Sequence, residues 1–132
     1  MTDPRREKKE ITLPIAPQQS EGAISDRPER ACLVVIAGLD TGIWLAVEED
    51  EVVVGRDVGC ALYLRDDGVS RRHVSIKRQP DKSLLVIDLG TTNGTFFGRR
   101  RISEGRLKPG EKVILGLSTV LRYELQDGYD QG

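Results

Sequence analysis

The segment DDGVSRRHVSI, residues 66–76, contains residue types that serve two different kinds of chemistry. Ser70 and His73, the one histidine of the chain, are three positions apart, and such a pair suggests a nucleophile and its base. Arg71 and Arg72 stand between them, and arginine presents a planar fork of donors that pairs with anions such as phosphate. The segment alone therefore predicts either a hydrolytic site or an anion-binding site.

Two further segments favour the anion-binding interpretation. Arg56 ends the apolar run VVVGR, and Asn93 lies in TTNGTFF, where Thr91 and Thr92 add hydroxyl groups. Arginine pairs bidentately with phosphate oxygens, while serine hydroxyls and loop amides can fill the remaining acceptor positions. Asparagine carries both a donor and an acceptor, which suits it to bracket an extended peptide backbone. Because holding a dianion needs no acid–base pair, the combined set fits a phosphate site better than a reaction centre.

Short β-rich runs must position these segments. From Ala31 onward, runs such as ACLVVIA, EVVVGR and SLLVIDL alternate with turn residues about every 8 to 12 positions, which is typical of an antiparallel sandwich or barrel. No stretch keeps a helical period over several turns. Asn93-Gly94 is a strong turn signal, because both residues tolerate positive φ. Loops of a sandwich gather at its two ends, so segments distant in sequence can share one apex.

The composition indicates one globular domain with an uneven charge. The chain has 132 residues, 38% hydrophobic and 31% charged, with a formal net charge of −1. Residues 31–64 carry one basic side chain against six acidic ones, whereas residues 65–112 carry twelve against six. The total argues against bulk nucleic-acid binding, although a local basic face is expected. Apolar runs are far shorter than the roughly 20 residues that cross a bilayer, so we expect a cytoplasmic protein with no membrane partner.

The remaining reactive or aromatic residues do not suggest a cofactor. Cys32 and Cys60 lack the spacing of a metal site or a disulfide framework and lie in apolar surroundings, so we expect two buried free thiols. We predict no metal and no cofactor. Trp44 is expected in the core or as an anchor on a sheet face, because aromatic residues interleaved with basic ones, as in single-strand nucleic-acid binders, are missing.

The three segments together resemble the signature of the forkhead-associated (FHA) domain. Gly55-Arg56, then Ser70-Arg71-Arg72-His73, then Thr92-Asn93-Gly94-Thr95 occur in the family's order and at its intervals. The resemblance covers about Ala31 to Leu125, with no departure at the signature positions. It implies an all-β fold, an eleven-stranded antiparallel β-sandwich of the FHA/SMAD-like type, whose apical loops bind phosphothreonine peptides.

The resemblance also implies contacts for the residues that face the ligand. Arg56 and Ser70 would contact the phosphate, and Arg71 would add a further charge contact. Asn93 would hydrogen-bond the peptide main chain, and Thr92 would line the same loop. These roles describe phosphopeptide binding rather than catalysis.

Other signature positions support the loops rather than touch the ligand. Gly55, His73 and Gly94 match such structural positions of the family. The motif does not fix which residue contacts the side chain three places after the phosphothreonine, and Arg99 and Arg100 are the candidates offered by the sequence.

We therefore expect a non-catalytic module, not an enzyme, that binds phosphothreonine proteins downstream of a Ser/Thr kinase. An alternative keeps the fold for phosphate-independent assembly or dimerisation that regulates an attached output domain. A serine hydrolase using Ser70 and His73 lacks a nucleophile elbow, an orienting acid and an oxyanion-hole loop. A nucleic-acid surface on the basic half is the remaining alternative, although no nucleic-acid partner is predicted.

The ends of the chain lead to separate expectations. Residues 1–29 predict a disordered or flexible tail, residues 30–127 the FHA domain, and residues 128–132 a C-terminal end or the start of a linker. The chain resembles the N-terminal module of larger bacterial signalling proteins, such as those that carry a diguanylate cyclase. Thr12, in the extended segment EITLPI, is a candidate phospho-acceptor that could dock into the protein's own site at the high effective concentration of a tether.

Overall fold

A computed structural model describes residues 29–127, and every regular element among them is a β-strand. Within this part of the chain, no helix is long and apolar enough to cross a membrane. The eleven strands are β1 (Glu29–Ala37), β2 (Trp44–Ala46), β3 (Glu51–Gly55), β4 (Leu62–Tyr63), β5 (Val74–Arg78), β6 (Leu84–Asp88), β7 (Thr95–Phe97), β8 (Arg100–Arg101), β9 (Glu104–Leu107), β10 (Lys112–Leu115) and β11 (Thr119–Asp127). The all-β, eleven-stranded prediction is confirmed. Thr12, most of the predicted tail and residues 128–132 lie outside the described residues, so the expectations about them stay predictions.

The strands form two sheets. The six-stranded sheet has the order β2-β1-β11-β10-β7-β8, and the five-stranded sheet has the order β4-β3-β5-β6-β9. The long pairs β3–β5, β5–β6, β6–β9 and β10–β11 are antiparallel, as expected. β4 differs, because it pairs in parallel with the end of β3 through Val54↔Leu62 and Gly55↔Tyr63. The loop between them leads the chain back alongside β3 without reversing its direction.

The core lies between the sheets and follows from the period of two along each strand. Leu33, Val54, Ile76, Val86 and Leu121 come from five different strands and are fully buried. β-branched residues dominate this set, and they fit a pleated, half-buried surface well. Their neighbours along each strand point to the outer faces of the sandwich.

The structure decides between alternatives for one residue and differs from the expectation for another. Of the two places expected for Trp44, the core is wrong: the residue lies on the sheet face, 57% exposed on the outer side of β2 and next to Val34 in the register. Cys32 is a buried free thiol as expected, whereas Cys60 is only half-buried, because it lies in the loop after β3. Burial raises the pKa of both thiols, which disfavours the reactive thiolate.

The strand ends bring the three sequence segments to one apex. β3 ends at Gly55, its antiparallel neighbour β5 begins at Val74, and the next strand β6 ends at Asp88. β7 begins at Thr95 and pairs with the end of β10 through Thr95↔Leu115. The loops 56–61, 64–73 and 89–94 and the turn 116–118 therefore lie at the same end of the sandwich.

Candidate phosphate-binding site

Arg56 fastens the loop that carries Ser70 to the end of β3. Its backbone N–H donates to the Ser70 carbonyl at 3.0 Å, and its Nε donates to the Val69 carbonyl at 2.9 Å. The next residue, Asp57, donates its N–H to the Arg71 carbonyl at 3.0 Å. The Nε bond fixes the plane of the guanidinium, whose terminal nitrogens have no hydrogen-bond partner among the described residues. Arg56 thus holds the loop and still offers donors to an anion.

Gly55 allows this close approach of two backbones. A Cβ atom at this position would lie 2.1 Å from the Arg71 carbonyl oxygen and 2.9 Å from that of Ser70. Both distances are far below van der Waals contact, and backbone cannot yield as the end of a flexible side chain can. Glycine is therefore required here for space rather than for an unusual φ.

Ser70 and Arg71 lie beside Arg56 with their polar groups free. In the described part of the chain, neither the Ser70 hydroxyl nor the Arg71 guanidinium makes a hydrogen bond or ion pair. Ser70 is half-buried, whereas Arg71 and Arg72 are exposed. The structure therefore gathers a hydroxyl and guanidinium groups on one loop, and no carboxylate of the described residues forms an ion pair with them.

His73 lies behind this loop, with its side chain fully buried. Its Nδ1 accepts the backbone N–H of Ser70 at 3.0 Å, so Nε2 carries the proton and donates to the Gly94 carbonyl at 2.9 Å. Burial lowers the pKa of His73, which keeps the ring neutral as this pair of bonds requires. Both ring nitrogens are used by backbone groups, and neither is left for the Ser70 hydroxyl.

The loop between β6 and β7 is organised by Asp88. Its carboxylate accepts the N–H groups of Gly90 and Thr91 at 2.9 and 3.1 Å and the hydroxyls of Thr91 and Thr95 at 2.6 and 2.7 Å. Burial acts to raise the pKa of Asp88, but these hydrogen bonds together outweigh it and lower the pKa. The loop is therefore stabilised by the ionised form of the Asp88 carboxylate.

Asn93 connects that loop to the loop of Ser70. Its Nδ2 donates to the Gly68 carbonyl at 2.9 Å, while its side-chain oxygen has no partner in the described residues. The following Gly94 has a φ of +93°, a left-handed conformation that favours glycine. The Gly94 carbonyl also accepts the N–H of Gly116 at 2.9 Å, which ties in the β10–β11 turn. Thr92 is exposed at the tip of the same loop.

Asp66 fastens the loop of Ser70 from its other side. Its carboxylate accepts the hydroxyls of Thr119 and Ser118 at 2.6 and 3.0 Å and the N–H of Gly68 at 2.8 Å. The hydrogen bond from Thr119, followed by the one from Gly68, lowers the pKa of Asp66. Sequence reasoning missed both Asp66 and Asp88. Asp-x-Gly, present at residues 66–68 and 88–90, is the turn signal that could have found them.

Two expectations near the site do not hold in the structure. The Thr91 hydroxyl is not available to a ligand, because it donates to Asp88 and accepts the N–H of Gly94 at 3.1 Å. Arg99 and Arg100 lie beyond Phe97, at the end of β7 that points away from the apex. Arg101 is the member of the arginine triplet that approaches the site, since its guanidinium donates to the Thr91 carbonyl at 3.3 Å.

Comparison with known proteins places the whole arrangement in one family. The sequence profile of the FHA domain matches residues 52–116, which include all three segments. The FHA domain-containing protein FhaB of Mycobacterium tuberculosis is 33% identical over 100 residues, 75% of this chain and 64% of FhaB. The crystal structure of the FHA domain of the CT664 protein from Chlamydia trachomatis matches with a TM-score of 0.64 and 32% identity, over 74% of this chain and 97% of that one.

A further solved structure comes from a study of phosphothreonine-dependent FHA domain interactions. It matches with a TM-score of 0.63 and 28% identity, over 72% of this chain and 95% of that one. The fold, the apical loops and these matches together define an FHA domain, and the chain belongs to the FHA family. The chain spans between 58 and 67% of the length of FhaB and of two Corynebacterium relatives found by sequence.

Proposed function

We propose that this domain binds phosphothreonine-containing segments of partner proteins and thereby couples a Ser/Thr kinase to protein assembly in signalling. The observation that carries the proposal is the group of donors at the apex. The terminal nitrogens of Arg56, the Ser70 hydroxyl and the Arg71 guanidinium lie on two fastened loops and have no partner among the described residues. The solved structure from the study of phosphothreonine-dependent FHA interactions supports the same ligand.

The expected strength of binding suits a reversible signal. A phosphothreonine carries about −1.5 to −2 charges at neutral pH, and each hydrogen bond to a charged group contributes roughly 1.5–3 kcal/mol. Three or four such bonds, less the free energy of ordering the peptide, leave about −7 to −9 kcal/mol, which is near micromolar affinity. Dephosphorylation would remove most of this free energy and release the partner.

Asn93 completes the proposed peptide contact. Its side-chain oxygen is free to accept a peptide N–H, while its Nδ2 is already used by the Gly68 carbonyl. We propose that Asn93 positions the peptide main chain beside the phosphate and that Thr92 lines the same path. Gly55, His73 and Gly94 would act through the loops, since none of them presents a free polar side chain to the ligand.

We further propose that the domain acts without catalysis and in the cytoplasm, where a kinase and its phosphorylated products are available. The positions of both His73 nitrogens support the first point, because a base for Ser70 would need one of them. A fluorophosphonate probe is expected to leave Ser70 unlabelled. Labelling at Ser70 that the substitution His73→Gln abolishes would contradict a purely binding role.

A phosphothreonine peptide-library pulldown identifies the ligand class. The wild-type domain is expected to retain phosphothreonine peptides and to retain phosphoserine and unphosphorylated versions much more weakly. Arg56→Ala should no longer retain the phosphothreonine peptides. Arg72→Ala removes the same charge one residue beyond the proposed site and should retain most of them. Equal retention by Arg56→Ala would remove the basis of the proposal.

A further inference from the structure

A groove lies at the end of the sandwich opposite to the apex. It has a volume of about 700 Å³ and is formed where the β7–β8 turn approaches the β9–β10 turn. Its cationic side chains come from the edge strands of the two sheets, β8 and β9, from β10 and from the turn after β9, and they are Arg100, Arg106, Lys108 and Lys112. These residues with their apolar floor are called the basic groove below. It shares no residue with the proposed phosphate site.

The cations of the basic groove are largely without counter-charges. Arg100, Lys108 and Lys112 are exposed, and their side chains make no ion pair or hydrogen bond within the described residues. Arg106 is only partly engaged, by Asp81 at 3.5 Å and Ser83 at 3.2 Å. Like charges that converge without partners favour an anionic ligand.

Glu111 offsets only part of the positive charge of the basic groove. It lines the groove, and its Oε1 accepts the backbone N–H of Lys108 at 2.9 Å. That bond holds the β9–β10 turn, so the carboxylate serves the turn's geometry. Four cations thus line the groove with one carboxylate, and Asp81 beside Arg106 adds a second, so the groove keeps a net positive charge.

The floor of the basic groove is apolar. Phe97 is half-buried at the edge of the core, and Ile114 and Val120 face each other across β10 and β11 on the outer side of the six-stranded sheet. An apolar floor bordered by long cationic side chains suits a segment that carries both carboxylates and apolar side chains. A simple polyanion would leave this floor in contact with water.

We propose that the basic groove is a second docking site, which takes an extended acidic segment with apolar side chains from a partner protein. The carboxylates pair with Arg100, Lys108 and Lys112, and the apolar side chains cover the floor. Arg101, which touches the Thr91 carbonyl, continues the line of basic residues toward the apex. β7, which runs from the loop of Asn93 to the β7–β8 turn at the groove, is three residues long, or roughly 10 Å. One partner can therefore occupy both sites and gain avidity.

The test uses a labelled synthetic peptide of alternating Glu and Leu residues with the whole chain. We expect saturable binding that weakens with added salt, and at least about tenfold weaker binding by the double variant Lys108→Glu/Lys112→Glu. The double variant Arg30→Glu/Lys77→Glu changes the net charge equally at residues that do not line the groove and should bind like wild type. Thermal melting of both variants checks that they are folded.

Arg56→Ala should bind this peptide normally, and the groove variant should keep its affinity for a short phosphothreonine peptide.

Several results would overturn the proposal. An equal loss of affinity for the Glu-Leu peptide in the groove variant and in the charge-matched variant would show a general effect of net charge. Binding of duplex DNA but not of the Glu-Leu peptide would assign the groove to nucleic acid. Self-association that the groove substitutions abolish, without peptide binding, would assign it to a second copy of the chain. One further result would instead support the basic groove. If the wild-type chain binds the Glu-Leu peptide but no phosphothreonine peptide, only the proposed apical function is removed.

Discussion

At the scale of single residues, the role proposed for Arg56 combines a contact within the fold with a contact to the ligand. Its Nε donates to the Val69 carbonyl, and this bond fixes the orientation of the guanidinium plane while the terminal nitrogens keep no partner among the described residues. Lysine has the same charge but carries a single ammonium and cannot make both contacts. The value of arginine here is therefore its geometry as much as its charge.

Arg56→Lys tests that argument. Losing the forked contact should weaken phosphothreonine peptide binding by roughly 2 kcal/mol, or about thirtyfold, while losing the Nε bond should lower the free energy of unfolding by only about 1 kcal/mol. Titration calorimetry and urea unfolding measure the two effects separately. Wild-type affinity in the lysine variant would mean that charge alone suffices.

Gly55 provides a second prediction at this scale. Gly55→Ala places a Cβ 2.1 Å from the Arg71 carbonyl, so the loop of Ser70 must move and the free energy of unfolding should fall by about 2 kcal/mol or more. Gly59→Ala is the matched control in the loop that follows, because its Cβ would be 3.7 Å from its nearest neighbour, Asp57 Oδ1. Thermal melting should separate the two variants. Similar melting temperatures would contradict the steric account.

At the scale of strands and loops, the apical loops behave as one hydrogen-bonded unit. Asp66 links the loop of Ser70 to the β10–β11 turn, and Asp88 closes the loop that carries Asn93. His73 connects both loops through its two ring nitrogens. The geometry of the proposed phosphate site thus depends on side chains that are not expected to touch the ligand.

Asp88→Ala is expected to reduce peptide affinity at least about tenfold, because the loop of Asn93 loses four hydrogen bonds. Asp81→Ala is the matched control. Asp81 accepts the N–H and the hydroxyl of Ser83 in the turn at the opposite end of the sandwich. The control should lose some stability and keep wild-type affinity. Normal peptide binding by Asp88→Ala would show that the loop does not need its carboxylate.

The sequence predicted most strands but not the two at the sheet edges beside the basic groove. β8 and β9 come from RRRISEGRL, where only Ile102 and Leu107 are buried, so the apolar alternation that identified the other runs is missing. Edge strands tolerate charged side chains because one of their sides faces water. β8 and β9 form because they pair with β7 and β6, respectively. The signature residues were found because motifs preserve spacing. The roles of Asp66, Asp88 and Arg101 depend on contacts between distant segments, which spacing does not encode.

At the scale of the whole molecule, the stability of the domain is tied to the ionisation of its apical network. The pKa values of Asp66 and Asp88 are lower in the folded chain than in the unfolded chain. Both carboxylates therefore stabilise the fold fully when the pH is above their unfolded pKa, and this contribution is lost as the pH falls through their folded pKa. The pKa of His73 is lowered by burial, so its neutral form also favours the fold at higher pH.

The free energy of unfolding should therefore decrease in two stages on acidification. The first stage begins below about pH 6.5, because His73 binds a proton in the unfolded chain at a higher pH than in the folded chain. The second stage begins below about pH 4, because Asp66 and Asp88 bind protons in the unfolded chain at a higher pH than in the folded chain. Urea unfolding at a series of pH values measures both stages. His73→Gln should lose the first stage and keep the second, and an unchanged profile in that variant would contradict this assignment.

The proposed docking of Thr12 also belongs to this scale. Phosphorylation of Thr12 would place a phosphothreonine on the same chain as the apical site, and binding within the chain would compete with added peptide. Kinase treatment should therefore weaken the affinity for an external phosphothreonine peptide, and Thr12→Ala should prevent the change. Mass spectrometry that finds Thr12 unmodified after kinase treatment would count against this role.

The most direct test of the central claim is a calorimetric titration of the domain with one phosphothreonine peptide taken from the library, alongside its unphosphorylated and phosphoserine forms. We predict a one-to-one complex of roughly micromolar affinity with the phosphothreonine peptide, and at least about tenfold weaker binding of the other two forms. Arg56→Ala should show no measurable heat of binding while it unfolds cooperatively. Equal affinity for the phosphorylated and unphosphorylated peptides would contradict the assignment of the apex as a phosphothreonine site.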